Sequence, residues 1–286
     1  MPVSVVTDSV ASIPADILAE NAIDVVSLYI NDGETNQREL DMDVADFYRR
    51  LEDMSSLPTS SQPSVEEILS ALRRALERGD DVVGIFISEK MSGTLQTARI
   101  AADMLRAEFP AARIELLDSG SNSMDEGFGA ISAARAASVG KPIDTCVAAA
   151  TTTFARSKWL FTPHTLEYLR RGGRIGGASA MLGGLLQIKP ILTVEDGVVE
   201  TFAKVRTQSR ALAEITRKVT ADAAAFGLER IIVHYIVDRE LASKFAAEQI
   251  EPLAGGPVRV IPVSPVIGLH VGPAIGVVYE TKRDRM

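Results

Sequence analysis

Three short hydroxyl-rich segments carry the chemistry in the first half of this chain: Thr7-Asp8-Ser9, Thr59-Ser60-Ser61-Gln62-Pro63 and Ser92-Gly93-Thr94. Each lies where one periodic pattern ends and another begins. Hydroxyls and backbone N–H groups at helix N-termini bind carboxylate or phosphate without a cationic side chain. No cluster of acids, bases or nucleophiles accompanies them, so their chemistry is to hold an acid. Two plainer readings stay open beside that one. Ser92 serves equally as an ordinary helix cap, and the loop around Thr59 and Ser60 as simple turn chemistry.

Two further stretches stand out. His270 is one of three histidines and sits in Gly268-Leu269-His270-Val271-Gly272-Pro273. Flanking glycines allow close backbone approach, as at a ligand mouth; a buried histidine in a sheet is the alternative. Leu169-Arg170-Arg171-Gly172-Gly173-Arg174 is basic and glycine-rich, and lacks the Gly-Lys-Ser/Thr ending of a P-loop. It reads either as a helix end with its usual cations and glycine stop or as a docking surface that Arg206 extends.

A serine hydrolase built on Ser92, His270 and Asp8 or Asp118 is the rival of another class. Against it, Ser92 lies in Lys90-Met91-Ser92-Gly93-Thr94 and the Gly-x-Ser-x-Gly elbow is absent. The expectation is a non-enzymatic protein with no catalytic residue, no metal and no cofactor. A net charge of −8 and 5% aromatic residues exclude nucleic acid as the main partner. The lone Cys146 excludes an internal disulfide and a cysteine-rich metal site. Residues 1–6 lack the basic start of a signal peptide. The uncharged window Val260 to Tyr279 holds Pro262, Pro265, Pro273 and His270, and reads as a buried pair of strands. A cytoplasmic protein without stable membrane insertion is expected.

The patterns predict an α/β fold of two α/β domains, residues 1–158 and 159–286. In the first, strands at Val3–Thr7, Asp24–Ile30, Val82–Ile87 and Arg113–Leu117 alternate with helices starting near Pro14, Asp43, Ser64, Thr94, Met124 and Pro142, the last reaching Lys158. That alternation implies a mostly parallel sheet with helices on both faces. Ligands bind such sheets beyond the carboxyl ends of the strands, where Thr7-Asp8-Ser9, Ser88–Thr94 and Asp118-Ser119 fall. The second domain carries a helix near Thr165–Arg170, a hairpin about Glu195-Asp196-Gly197, helices at Ser209–Phe226 and Glu240–Gln249, and strands at Arg230–Val237 and within Val258–Val263 and Ala274–Tyr279.

Taken in order, the motifs resemble the DegV family, bacterial fatty-acid-binding proteins that serve as carrier subunits of fatty acid kinase. The matching pieces are Thr7-Asp8-Ser9, Ser60-Ser61-Gln62-Pro63-Ser64, Ser92-Gly93-Thr94, Asp118-Ser119, Leu166 through Ile175, Ile188 through Leu192, Lys204-Val205-Arg206 and His270-Val271-Gly272-Pro273. The resemblance implies a lipid site between the two domains, a long-chain fatty acid as ligand, and an ATP-dependent kinase subunit as partner. It implies that Ser60 and Ser92, with Thr59, Gly93, Thr94 and His270, bind the carboxylate. It assigns Arg171, Arg174 and Arg206 to the head group or to partner docking. The chain departs from the family pattern at Ser60, where threonine is usual, in Pro163-His164-Thr165, and in lacking a glycine after Pro273. A carrier of another lipid with a regulatory role is the remaining alternative. An acyl-chain cavity is expected near Met91, Met181, Leu182, Leu185 and Leu186.

Overall fold

The computed structural model describes residues 1–51, 54, 57–181 and 188–285. Leu182, Leu185 and Leu186, expected to line a cavity, lie outside them. The chain divides into two units, Met1–Asp41 with Ser60–Phe154, and Met42–Thr59 with Ala155–Met286.

In chain order the first part contains β1 (Val3–Asp8), α1 (Ala15–Glu20), β2 (Ile23–Val26), β3 (Tyr29–Asn31), β4 (Asn36–Arg38), α2 (Val44–Leu51) and β5 (Thr59–Ser61). Then come α3 (Val65–Glu77), β6 (Asp81–Phe86), α4 (Thr94–Glu108), β7 (Ile114–Asp118), α5 (Ser123–Ser138) and α6 (Ile143–Arg156). The main sheet of the first unit has the order β2-β1-β6-β7, and every pairing in it is parallel. Strand alternation sends Val6, Val82 and Phe86 to one face, where they pack with Ile68 and Leu72 of α3 and Leu95 of α4. On the other face Val3 and Val5 line a cavity with α1 and α5. The α3 start has the expected capping box: Ser64 accepts from Glu67 N, and the Glu67 carboxylate accepts from Ser64 N.

The expected strand Asp24–Ile30 is two strands. β2 stops where β1 stops, at the Asp8–Val26 pair. Leu28 N then donates to Ser9 Oγ at 2.8 Å, turning the chain into β3, which pairs with β4.

The second unit continues with β8 (Ser157–Pro163), α7 (Glu167–Gly172), β9 (Lys189–Glu195), β10 (Val198–Val205), α8 (Gln208–Phe226), β11 (Leu228–Ile236), α9 (Arg239–Phe245), α10 (Glu251–Ala254), β12 (Val260–Pro262), α11 (Pro265–Val271) and β13 (Ala274–Thr281). Its sheet has the order β10-β9-β8-β13-β11-β12, antiparallel except for β11 with β12. The helix expected to reach Lys158 ends at Arg156, and β8 runs through the middle of this sheet with Trp159 stacked on Phe161 at 4.9 Å.

Two placements differ from the sequence reading. Helix α2, assigned there to the first domain, belongs to the second unit. Its buried Tyr48 hydroxyl donates to Val263 O at 2.6 Å and lies 3.1 Å from Ser264 O. The window Val260 to Tyr279 is strand, helix, strand rather than a pair of strands. Ser264 caps α11 by accepting from Ile267 N, and Pro265 occupies its first turn. No helix among the described residues is long and apolar enough to cross a membrane.

A Cβ on Gly268 would lie 2.5 Å from the Tyr48 ring, which its hydroxyl bonds hold in place. Gly268→Ala is therefore expected to lower stability by about 1–3 kcal/mol. Urea unfolding of the two proteins side by side measures this; equal midpoints would mean that α2 shifts without cost.

Candidate functional site

The N-terminus of α4 is built by two loops that meet. The Ser88–Ser92 turn leaves β6 and is closed by Met91 N and Ser92 N donating to Ser88 O, at 2.9 and 3.1 Å. Ser88 N donates to Ser121 O at 2.9 Å, which ties the turn to the loop after β7. Gly93 caps the 15-residue α4 with no side-chain bond of its own. Over it lies Gln62 of the Ser-Gln-Pro loop, whose Nε2 donates to Thr97 Oγ1 at 3.0 Å. A Cβ on Gly93 would lie 2.5 Å from Gln62 Oε1, so any other residue there would displace the Gln62 amide from this position. The two hydroxyl motifs, 31 residues apart by their Gln62 and Gly93, are thus brought together within the first unit.

Ser92 Oγ accepts from Thr94 N at 3.3 Å and lies 2.9 Å from Thr94 Oγ1. Ser92 therefore closes a local serine turn one residue before the Gly93 cap and is not itself the cap of α4, and this leaves room for the other reading. Two hydroxyls carry two protons, and their mutual bond uses one. The first turn of α4 contains no acidic residue, so the positive end of the helix is not already neutralised. Helix α3 makes the contrast: Glu66 and Glu67 fill its first turn, and its cap is complete. Ser60 is half-buried and Thr59 exposed in β5.

Thr7-Asp8-Ser9 does not join this site as an anion binder. Thr7 Oγ1 donates to Glu126 Oε1 at 3.1 Å, and Ser9 Oγ donates to Glu39. Asp8 accepts from Val10 N at 3.1 Å and Ile87 N at 2.9 Å. A segment surrounded by buried carboxyls repels an anion. The hydrolase reading loses its acid as well, because Asp8 is spent on backbone N–H groups. Asp118 likewise accepts from Gly120 N and Glu89 N.

In the second unit His270 lies in the last turn of α11, not in a sheet. The rings of Tyr48 and Tyr168 fill the space beside Gly268 and Gly272, so these glycines admit tyrosines rather than a ligand. A Cβ on Gly172 would lie 2.3 Å from His270 Nδ1, which brings the basic glycine-rich stretch against the histidine. Burial, and then the nearby Arg174 charge, push His270 down to about 4. At neutral pH it is an uncharged imidazole, and the positive charge beside it is Arg174, whose Nη1 donates to Gly172 O at 2.7 Å. Arg171 is engaged with Glu167 at 2.6 Å on the surface of α7. Arg206 is exposed between β10 and α8. Among the described residues no group of three or more His, Cys, Asp or Glu could hold a metal ion.

Sequence reading missed Glu126 and the Gln62 contact. Asp125 and Glu126 in an otherwise small and apolar helix were the available signal for the first; nothing local marks the second.

A two-unit α/β protein with a hydroxyl-lined helix N-terminus is the class that this fold and site define. A family model described as an uncharacterised protein of the DegV family matches residues 2–282. A DegV domain-containing protein of Clostridium acetobutylicum is 42% identical over 285 residues, covering 99% of each chain. One of Clostridium perfringens is 38% identical, covering 98% of this chain and 99% of its own. This chain belongs to the DegV family. Among solved structures, a fatty-acid-binding DegV family protein from Thermus thermophilus matches with a TM-score of 0.86 at 33% identity, covering 98% of this chain and 100% of its own. DegV from Bacillus subtilis, a fatty acid binding protein, matches with 0.87 at 30% identity, covering 99% and 100%.

The other buried histidine allows a test of the second unit. His234 Nδ1 donates to Ile261 O at 2.9 Å, and its ring meets Trp159 edge-on at 5.3 Å. Burial pushes it down from 6.5 to about 4. The unfolded chain takes up this proton first, so stability is full above pH 6.5 and falls as pH drops toward 4, by at most roughly 3 kcal/mol. Trp159 is the single tryptophan. Its fluorescence during urea unfolding should show a midpoint that falls with pH across this window, and falls less in His234→Gln. Identical profiles would mean that His234 is solvated.

Proposed function

We propose that this chain binds one long-chain fatty acid and presents its carboxylate to a separate ATP-dependent kinase in the cytoplasm, which phosphorylates it to an acyl phosphate. Ser92 and Thr94 at the head of α4, with Ser60, Thr59 and the Gly93 amide, hold the carboxylate. The observation that carries this reading is the meeting of the Ser-Gln-Pro loop with Gly93 through Gln62, at a long helix whose first turn has no acid. The fatty-acid-binding neighbours from Thermus thermophilus and Bacillus subtilis support it. His270 and Arg174 supply a neutral imidazole and a cation in the second unit, and Arg171 and Arg206 serve the head group or the kinase.

The energetics suit a carrier. Each CH₂ removed from water is worth about 0.8 kcal/mol, so an acyl chain of 14–16 methylenes offers roughly 11–13 kcal/mol before costs. Tail burial therefore supplies affinity, and the head group needs only to be satisfied. Left without partners, a buried carboxylate is expensive. Hydroxyl and amide donors at a helix N-terminus meet that need without locking the acid into a tight ion pair, so it stays open to phosphorylation. The protein does no covalent chemistry.

Mass spectrometry of lipid extracted from the purified protein should return a stoichiometric fatty acid; a different lipid would replace this reading with a carrier of that lipid. Ser92→Ala should release bound fatty acid about ten- to a hundredfold faster, the worth of one hydrogen bond to a charged group. An unchanged off-rate removes Ser92 from the head-group site. With kinase and ATP, Arg174→Ala or Arg206→Ala should slow acyl phosphate formation, and full turnover in both would eliminate the basic docking surface.

A further inference from the structure

The turn that carries Ser92 is anchored by an acid that has a second acid beside it. Asp8 ends β1, and its Oδ2 is the acceptor for Ile87 N, the first residue after β6. Glu126, in the first turn of α5, is fully buried. Its Oε1 accepts from Thr7 Oγ1, and its Oε2 has no N–H or hydroxyl donor among the described residues. The charged groups bearing on this pair are acids too. Glu39, from the 3-10 turn Glu39–Asp41, acts on Asp8, and Asp118, at the end of β7, acts on Glu126. From α5, Asp125 accepts from Ser121 Oγ. On the turn itself, Glu89 is paired outward with Arg99 of α4, and Lys90 is exposed.

Two carboxyls in one dry site cannot both ionise cheaply. One proton between them gives Asp8 the charge that its two backbone donors favour, and leaves Glu126 neutral. Losing that proton to solvent puts two negative charges under the turn. Glutamine or methionine would fill the position of Glu126 without this liability, so packing alone does not account for an acid there.

We propose that Asp8 and Glu126 are positioning residues that share one proton and act as a latch, holding the Ser88–Ser92 turn in place when protonated and releasing it when the proton leaves. That the latch governs head-group retention rests on the reading of Ser92 given above; the latch itself does not. Burial agrees in direction: it pushes Asp8 up to about 7, and with the Asp8 charge it pushes Glu126 well above the carboxylate range. The folded state then binds more protons than the unfolded one, so local stability falls as pH rises. His234 and His270 act in the opposite direction, but only below about 6.5, where their unfolded forms take up protons.

Amide hydrogen exchange of the full ligand-free chain between about pH 6.5 and 8.5, read on peptides covering Ile87–Ser92, isolates the latch from the histidines. After division by the intrinsic base-catalysed rate, opening of this turn should increase by up to tenfold per pH unit in the wild type, the limit for one proton released. In Glu126→Gln it should stay constant to within about twofold. Glu126→Met removes the same titration and serves if Glu126→Gln does not fold. A flat wild-type profile, or equal slopes in wild type and variant, overturns the latch. Because no ligand is present, a failure to carry fatty acid sinks the proposed function without touching this result. A second arm measures release of bound fatty acid over the same range. Release that quickens with the opening supports the positioning role, and release independent of pH overturns it.

Discussion

The hydrogen bond from Ile87 N to the Asp8 carboxylate is the interaction on which the first unit's site depends. A parallel sheet collects the carboxyl ends of its strands at one edge, and that edge leaves backbone donors exposed where chains turn into helices. Here β1 ends in the acid that takes up the first of those donors after β6. With that end fixed, the chain closes a short turn through Ser88, and Ser92 arrives at α4 with its hydroxyl directed at Thr94. The sheet thus supplies geometry, and the helix supplies polarity. Gln62, arriving from a loop far back in the chain, completes the surface by lying across Gly93.

The second unit meets a different requirement with the same economy of charge. Its histidine is kept neutral by burial and by an arginine close by, so the positive charge there belongs to the guanidinium and not to the imidazole. Glycine at 172 permits that approach. Tyrosines fit against the two glycines around α11, which explains their presence without any ligand.

Much of this was legible in the sequence where a local signal had a local cause. The Asp196-Gly197 hairpin is one case, since both residues take positive φ in a two-residue turn. The Ser64 box and the start of α4 at Thr94 are others. Legibility failed where a distant partner decided. The run from Asp24 to Ile30 has no glycine or proline to break it, and distant partners divide it: Ser9 accepts from Leu28 N, and Glu39 N donates to Leu28 O. The alanine- and threonine-rich run ending α6 has no glycine or proline to stop it, so the pattern carries the helix two residues into β8, to Lys158. Ser264-Pro265 did announce α11, but the uncharged window around it suggested strands. For the site, residue type pointed to Ser92 and the Ser-Gln-Pro loop. The acid beside Asp8 lies 118 positions away, and sequence spacing carries no trace of such a pairing.

The path of the backbone has a consequence of its own. It changes units three times, because residues 42–59 are lent to the second unit before the first is finished. Cutting the gene near codon 158 would therefore not yield two self-sufficient pieces. The upstream fragment would display Phe47, Tyr48 and Leu51 with nothing to cover them, and the downstream fragment would present α11 with an unfilled groove. Anyone dissecting this protein must move the α2 segment along with the carboxy-terminal half, by circular permutation or by supplying it as a separate peptide.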